Sequence, residues 1–322
     1  MHLWKPWSKD LRKPITHSIV IPVYNNQASI HALVDSIILL AESSEGSFEA
    51  VFVIDGSPDR SLTILLERFP NAKIQAQVVQ LSRNFGSFEA IRVGLKFARG
   101  EFIAVIAADL QEPPKILVDF FIKLQDKTCD IVVGRRISRQ DGLVSSMMSN
   151  LYWYFYRRMI NKDFPSGGVD VFACNRMAAE QITKLSENNT SLVGLLYWVG
   201  FRRDYVDYNR LARHHGEGSW SLRKKFRYVA NSVFAFTHLP ITLLQIIGLS
   251  GIAISTIFIS FILIRFMGGG EAPPGYTALM LVILASTSAN LLGLGVIGSY
   301  VWRTYENGKN RPNAIVMKSE IF

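Results

Sequence analysis

Two stretches of this chain carry no charge at all: Leu239 to Ile264, 26 residues, and Tyr276 to Trp302, 27 residues. Each exceeds the roughly 20 apolar residues that cross a hydrocarbon core, so a purely water-soluble fold is excluded and two membrane spans are expected. All 35 basic and 26 acidic residues lie in the rest, where they make up about 23%, the share of an ordinary soluble domain. The 322 residues therefore divide into a soluble domain over 1–220, an interfacial segment over 221–238, and a two-helix membrane hairpin with a short tail over 239–322.

The net charge of +9 would suit nucleic acid, but its placement points to a bilayer. Arg223, Lys224, Lys225 and Arg227 precede the first apolar run; Arg303, Lys309, Arg311 and Lys318 follow the second; the loop between, Gly268 to Gly275, holds only Glu271. The positive-inside rule puts both chain ends and the soluble domain on the cytoplasmic face of the inner membrane. There the basic residues meet anionic headgroups, worth about 1 kcal/mol each. Ser221 to His238 alternates basic and apolar faces at helical spacing, as an interfacial helix does. Tyr152 to Arg158 is rich in aromatics and arginine and suits either a core helix or a membrane interface. Met1 to Lys13 is too charged for a signal peptide, so insertion is expected to use the internal spans. Cys129 and Cys174 are too few for a disulfide framework and lack metal-ligand spacing.

The first half alternates strand and helix. Buried apolar runs at Ser18–Val23, Ala50–Ile54, Gln77–Leu81, Phe102–Ala107 and Asp130–Val133 are separated by helical spacing over Ala28–Ala41, Ser61–Arg68, Phe88–Ala98 and from Pro113 onward. Strands that are apolar on both faces, with helices between them, predict an α/β fold: a mostly parallel sheet covered on both sides. Ligands of such sheets bind beyond the carboxyl ends of the strands. Those ends carry Asn25, Asp55, Asp109, Arg135 and Arg136. Singly, each Asp or Asn is as easily a helix cap or turn residue; together they mark a polar edge.

Asp109-Leu110-Gln111 puts a carboxylate and an amide oxygen near one point at that edge, hard ligands suited to Mg²⁺ or Mn²⁺ completed by water and phosphate oxygens. Three other patterns lead nowhere. Gly293-Leu-Gly-Val-Ile-Gly298 has the spacing of a dinucleotide loop but lies inside an apolar span, where small residues let helices approach. Asn188-Asn189-Thr190 is a glycosylation pattern on the cytoplasmic side, and His214-His215 lacks a spaced third ligand.

SIVIPVYNN at 18–26, VIDGSPDRS at 53–61, LSRNFGSFEA at 81–90, AADLQEPP at 107–114, VVGRR at 132–136, GGVDVF at 167–172 and GEGSW at 216–220, followed by two spans, resemble membrane-anchored family 2 glycosyltransferases. The likeness is to bactoprenol glucosyltransferases and dolichol-phosphate mannose synthases, and it covers nearly the whole chain. It implies a GT-A fold and inverting transfer of one sugar from a UDP- or GDP-linked donor to polyprenyl (undecaprenyl) phosphate. It further implies that Pro22, Tyr24, Asn25 and Asp55 hold the nucleotide and that Asp109 and Gln111 serve the metal and diphosphate. Arg136, with Arg135 and Arg139, would meet the acceptor phosphate, Asp170 the sugar, and Arg213 and Trp220 would form a lid.

The chain departs from the family pattern in four places. Ala107 stands where a further Asp is usual, leaving one carboxylate fewer for a metal; Ile54 replaces an Asp, Asn26 a Glu, and Asn150 an Arg. The weakened metal motif leaves a reading from another class: a catalytically silent membrane scaffold or accessory to lipid translocation. A processive polysaccharide synthase would carry a Gln-x-x-Arg-Trp motif, which the sequence lacks. Homo-oligomers through the Gly- and Ser-containing spans are compatible with the composition.

Overall fold

The computed structural model describes residues 14–72, 74–137, 169–185, 191–211, 239–268, 275–309 and 311–322. Arg139, Asn150, the 152–158 aromatics, Asn188 to Thr190, Arg213, His214-His215, Trp220 and the interfacial segment lie outside them. The chain forms two compact units: Met1–Ser186 with Leu192–Ser219 and Pro312–Phe322, and Glu187–Ser191 with Trp220–Arg311.

In the first unit the strands are β1 (His17–Val23), β2 (Phe48–Ile54), β3 (Gln75–Leu81), β4 (Phe102–Val105), β5 (Ile131–Arg136), β6 (Phe172–Asn175), β7 (Arg203–Tyr208) and β8 (Val316–Ile321). They form one sheet in the order β7-β5-β6-β4-β1-β2-β3-β8. The four neighbours β4-β1-β2-β3 are parallel. Strand β6 runs against both β4 and β5, β5 and β7 are again parallel, and β8 pairs antiparallel with β3. The sheet is thus GT-A-like and mixed, its parallel part confined mainly to the segment with the strongest apolar runs.

Side chains alternate across a strand, and β1 shows how both faces come to be buried. Ile19 and Ile21 pack on one side with α1 (Gln27–Ser43), α2 (Ser61–Arg68) and α4 (Ile116–Gln125). Val20 packs on the other with α3 (Ser87–Phe97), α5 (Arg176–Lys184) and α6 (Leu192–Trp198). All seven residues of β2 are buried, and only Glu49 among them is charged.

Glu49 is satisfied at the amino-terminal side of the sheet. Its carboxylate accepts from Ser18 Oγ at 2.6 Å, Gln77 Nε2 at 2.9 Å, and the Arg99 backbone N–H and Nε at 2.5 and 2.7 Å. A buried charge survives when its lone pairs are met in this way. Here the network ties β1, β2 and β3 to the turn before β4. Beside it, His17 stacks on Phe48 at 4.6 Å and meets Phe121 edge-on at 4.5 Å.

The second unit contains α7 (Leu239–Met267) and α8 (Tyr276–Gly308), 29 and 33 residues long. At 1.5 Å per residue these reach about 43 and 50 Å. Large apolar side chains stand exposed along both, among them Leu249, Ile257, Ile264, Leu279 and Leu294. Among the described residues, Gly293, Gly295 and Gly298 have no neighbouring atom within 4 Å of a built Cβ. Counting only residues whose side chains are described, no helix is long and apolar enough to cross a membrane.

The segment after α8 differs from the tail drawn at 239–322. Residues 312–322 belong to the first unit, where β8 closes one edge of the sheet. Its mostly exposed residues, VMKSEI, carry no buried periodicity that would mark a strand in the sequence.

Candidate active site

The carboxyl ends of β4, β1 and β2 lie side by side, and the loops leaving them are stitched together. Asn25, held at φ 56°, donates its N–H to Ser57 Oγ at 2.8 Å. Tyr24 donates its N–H to Asn26 Oδ1 at 3.0 Å, and Gln27 donates its N–H to Asp59 Oδ2 at 2.9 Å. A left-handed non-glycine residue is uncommon, and asparagine tolerates it best. This turn leaves Tyr24 exposed at the edge, just beyond Pro22 near the end of β1.

Asp55, at the end of β2, is buried. Its oxygens accept the backbone N–H groups of Phe85 and Gly86 at 2.7 and 2.8 Å. Burial raises its pKa, and these two hydrogen bonds oppose the rise. Gly56 follows at φ 59°, and a Cβ there would come within 2.4 Å of the Arg83 and Asn84 backbone. The D-G pair therefore pins the loop after β3 against the loop after β2.

After β4 the chain turns through Leu110 at φ 57°, a strained geometry for a branched residue of the kind that gathers at functional sites. The turn brings Asp109 Oδ1 to accept from the Gln111 N–H at 3.3 Å. Ser29 donates its hydroxyl to the Ala108 carbonyl at 2.7 Å, tying the turn to α1.

Across from it stands Asp170. The Tyr208 hydroxyl donates to Asp170 Oδ2 at 3.2 Å, Arg210 Nη1 lies 3.7 Å from the same oxygen, and Arg136 Nη1 lies 3.9 Å away. Gly134 makes the approach feasible: a Cβ there would sit 2.5 Å from Val171 Cγ2 and 3.1 Å from the Tyr208 ring. Burial, with the Asp170 and Glu112 carboxylates, raises the Tyr208 pKa, so it stays a hydrogen-bond donor. Glu112 is fully buried. Desolvation, then repulsion from Asp170 and Asp109 against the attraction of Arg210, pushes it up to about 7.

Asp109, Gln111, Arg136 and Asp170 thus converge on one end of the sheet, with Pro22, Tyr24, Asn25 and Asp55 along the neighbouring strand ends. Arg135 is placed differently: adjacent strand residues point to opposite faces, and Arg135 is paired with Asp207 on β7 at 2.5 and 2.9 Å. Gln111 Oε1 accepts from Arg210 Nη2 at 2.7 Å. Among the described residues no set of three His, Cys, Asp or Glu side chains is arranged to hold a metal. Tyr208, Arg210 and Glu112 are participants that sequence patterns do not single out. Glu112 reads as an acidic residue at a helix start, and Arg210 as a loop charge three residues before Arg213.

Residues 18–184 match the family model described as glycosyl transferase family 2. The chain belongs to glycosyltransferase family 2. This membership makes it an enzyme, a glycosyltransferase, and sets aside the scaffold reading. It is 31% identical over 300 residues to the uncharacterized glycosyltransferase sll0501 of Synechocystis sp., covering 93% of this chain and 94% of that one. It is 30% identical over 307 residues to the SfII prophage-derived bactoprenol glucosyl transferase of Shigella flexneri, covering 94% and 97%. It is 28% identical over 305 residues to the undecaprenyl-phosphate 4-deoxy-4-formamido-L-arabinose transferase of Pectobacterium atrosepticum, covering 94% and 93%. The family 2 match begins in β1 and ends in α5, so it takes in Asp55, Asp109, Arg136 and Asp170 but neither Tyr208 nor Arg210.

Proposed function

We propose that this family 2 glycosyltransferase moves one sugar from a nucleotide sugar to a polyprenyl phosphate at the cytoplasmic surface of the inner membrane, with inversion. The observation that carries the reading is the extent of the likeness. The match to a bactoprenol glucosyl transferase covers 94% of this chain and 97% of that one, so it includes the two long apolar helices as well as the catalytic unit.

Several features support a bilayer location. Helices α7 and α8 exceed the ~30 Å hydrocarbon thickness, carry uncharged runs of 26 and 27 residues, and leave large apolar side chains exposed that only lipid or a partner would cover. Residues on either side of 220–311 belong to one unit. This supports a chain that leaves and returns on the same side, as a two-span hairpin does.

The reaction asks little of a general base. A phosphate monoester with a second pKa of about 6 is mostly a dianion at neutral pH. One of its oxygens attacks the anomeric carbon from the face opposite the departing diphosphate, and the C–O bond breaks with its electron pair on the nucleoside diphosphate. Positioning two anions is the main task. Arg136 orients the acceptor phosphate, with a guanidinium fork matched to phosphate oxygens. Tyr208 and Arg210 hold Asp170 toward the sugar. Pro22, Tyr24 and Asn25 line the nucleotide side, and Asp55 secures it by fixing the 83–86 loop.

A divalent Mg²⁺ or Mn²⁺ fits in part. Asp109 offers a hard oxygen where a cation would need to stand, while the Gln111 amide oxygen is engaged by Arg210, so water and diphosphate oxygens would complete the shell. Such an ion neutralises charge on the departing diphosphate.

The test is nucleotide release by purified protein with a panel of UDP- and GDP-sugars, with and without polyprenyl phosphate. Release that requires both substrates, with formation of a lipid-linked sugar, is expected. Release that ignores the polyprenyl phosphate would overturn the acceptor assignment.

A further inference from the structure

Arg210 leaves the end of β7 and reaches three places at once. Its Nη2 donates to Gln111 Oε1 at 2.7 Å, its Nε stands 3.4 Å from Glu112 Oε1, and its Nη1 stands 3.7 Å from Asp170 Oδ2. The next residue, Leu211, donates its N–H to the Gln111 carbonyl at 2.8 Å. One guanidinium therefore joins the Asp109–Glu112 turn, on the donor side, to Asp170 on the opposite side.

The counter-charge is unusual. Glu112 is fully buried, and among the described residues neither of its oxygens has a hydrogen-bond partner outside Glu112 itself, nor does the facing Arg210 Nε. Such a carboxylate costs several kcal/mol of desolvation, and an apolar side chain of the same size would pack there without that penalty. Among the described residues, its attractive charge partner is Arg210. Asp109, Glu112 and Asp170 together would repel one another across the site, and Arg210 with Arg136 balances them.

We propose that Arg210 is a positioning residue for sugar transfer, seated by Glu112 as its buried counter-charge, and that the pair sets the separation between the Asp109–Gln111 turn and Asp170. This rests on the site's assignment to transfer from a nucleotide sugar. The pair contacts neither substrate. It acts through Gln111 and Asp170, so its loss misplaces groups in the transition state more than it weakens ground-state binding.

The experiment is a double-mutant cycle of Glu112→Gln and Arg210→Gln on the full-length protein, read as kcat and donor KM for nucleotide release. The acceptor is whichever one the wild-type protein uses. A protein that ignores polyprenyl phosphate would thereby overturn the acceptor assignment while leaving the cycle readable. Each single variant is expected to lose about tenfold or more in kcat with donor KM within about twofold, and the double variant to be no worse than the poorer single. Arg210→Lys should recover part of the rate, since it restores charge without the fork, and Glu112→Asp covers the case in which Glu112→Gln fails to fold. Multiplicative losses would overturn the pairing. A raised donor KM at unchanged kcat would make Arg210 a direct donor ligand instead.

Discussion

Arg136 and Asp170 face each other at 3.9 Å, beyond hydrogen-bond length, and the Arg136 side chain is only 10% exposed. Among the described residues its Nε has no hydrogen-bond partner. The sequence neighbour Arg135 is half exposed and spends both arms of its fork on Asp207. Arg136→Ala should therefore raise the apparent KM for polyprenyl phosphate or lower kcat by about tenfold or more, with donor affinity nearly unchanged. Arg136→Lys should recover only part, and Arg135→Ala should change activity less than threefold or so, as exposed ion pairs contribute little. Steady-state kinetics in acceptor, at saturating donor, separates the three variants; equal effects at 135 and 136 would contradict the assignment.

Asp109→Asn removes the carboxylate held out by the strained Leu110 turn. Transfer should fall by more than about 100-fold, since loss of a direct metal ligand should exceed the roughly 10–100-fold that an outer-shell partner contributes, with the melting temperature preserved. Titration of Mg²⁺ or Mn²⁺ against rate for both proteins checks this. A variant with full activity would make Asp109 a turn residue only.

Glu49 makes a prediction about stability alone. Glu49→Ala leaves Ser18, Gln77 and Arg99 facing one another without an acceptor in a buried site, and loss of one partner from a buried charged network costs about 3–5 kcal/mol. Thermal unfolding of the detergent-solubilised protein should show a clearly lowered transition. Substrate KM values at low temperature should not change, because the network lies at the opposite end of the strands from the site.

His17 gives the pH dependence of folding. The Thr16 hydroxyl donates to the Ser47 carbonyl at 3.0 Å, so it accepts from His17 Nδ1 at 2.8 Å. That leaves Nε2 to accept from the Gln125 amide at 3.1 Å: a neutral ring. Burial lowers its pKa to about 4 from 6.5. Above pH 6.5 neither the folded nor the unfolded chain binds this proton, so stability is complete. As pH falls toward 4 the unfolded chain binds it first, and stability declines by up to about 3 kcal/mol. Melting temperature against pH should fall between 6.5 and 4 in the wild type and less in His17→Phe, which keeps the stack on Phe48 and Phe121.

The proposed two-span topology is open to labelling. Cys129 and Cys174 are both buried, and in a background lacking them a cysteine at Gly269 should react with an impermeant thiol reagent in intact cells. One at Ser319, an exposed position of β8, should react only after lysis. The opposite pattern would put the catalytic unit outside the cell.

The parts of this fold that are legible in sequence are those buried on two faces. Strands β1 and β2 are continuous apolar runs because helices cover both sides, and their boundaries shift by only one or two residues. Strand β8 is mostly exposed, and β6 has only four residues, so neither shows a period. The run Asp130–Val133 reads as ending before Gly134. The strand in fact continues to Arg136, and this extension puts the two arginines on opposite faces. Asp109 and Asp55 are visible because they follow apolar strands. Arg210 is not, because its role depends on Gln111, 99 positions earlier in the chain.

The pairing of β8 with β3 bears on how the enzyme is made. Leu81 and Val316 are partners in the sheet, yet a ribosome adding 5–20 residues per second needs about 10 to 50 s to travel from one to the other. On the two-span reading proposed above, both apolar helices enter the bilayer during that interval while β3 waits with an unpaired edge, the kind of surface that recruits other strands. The sheet of the catalytic unit can therefore be completed only after both helices have been made. A chain whose residues 312–322 fail to reach β3 keeps that edge of the sheet open.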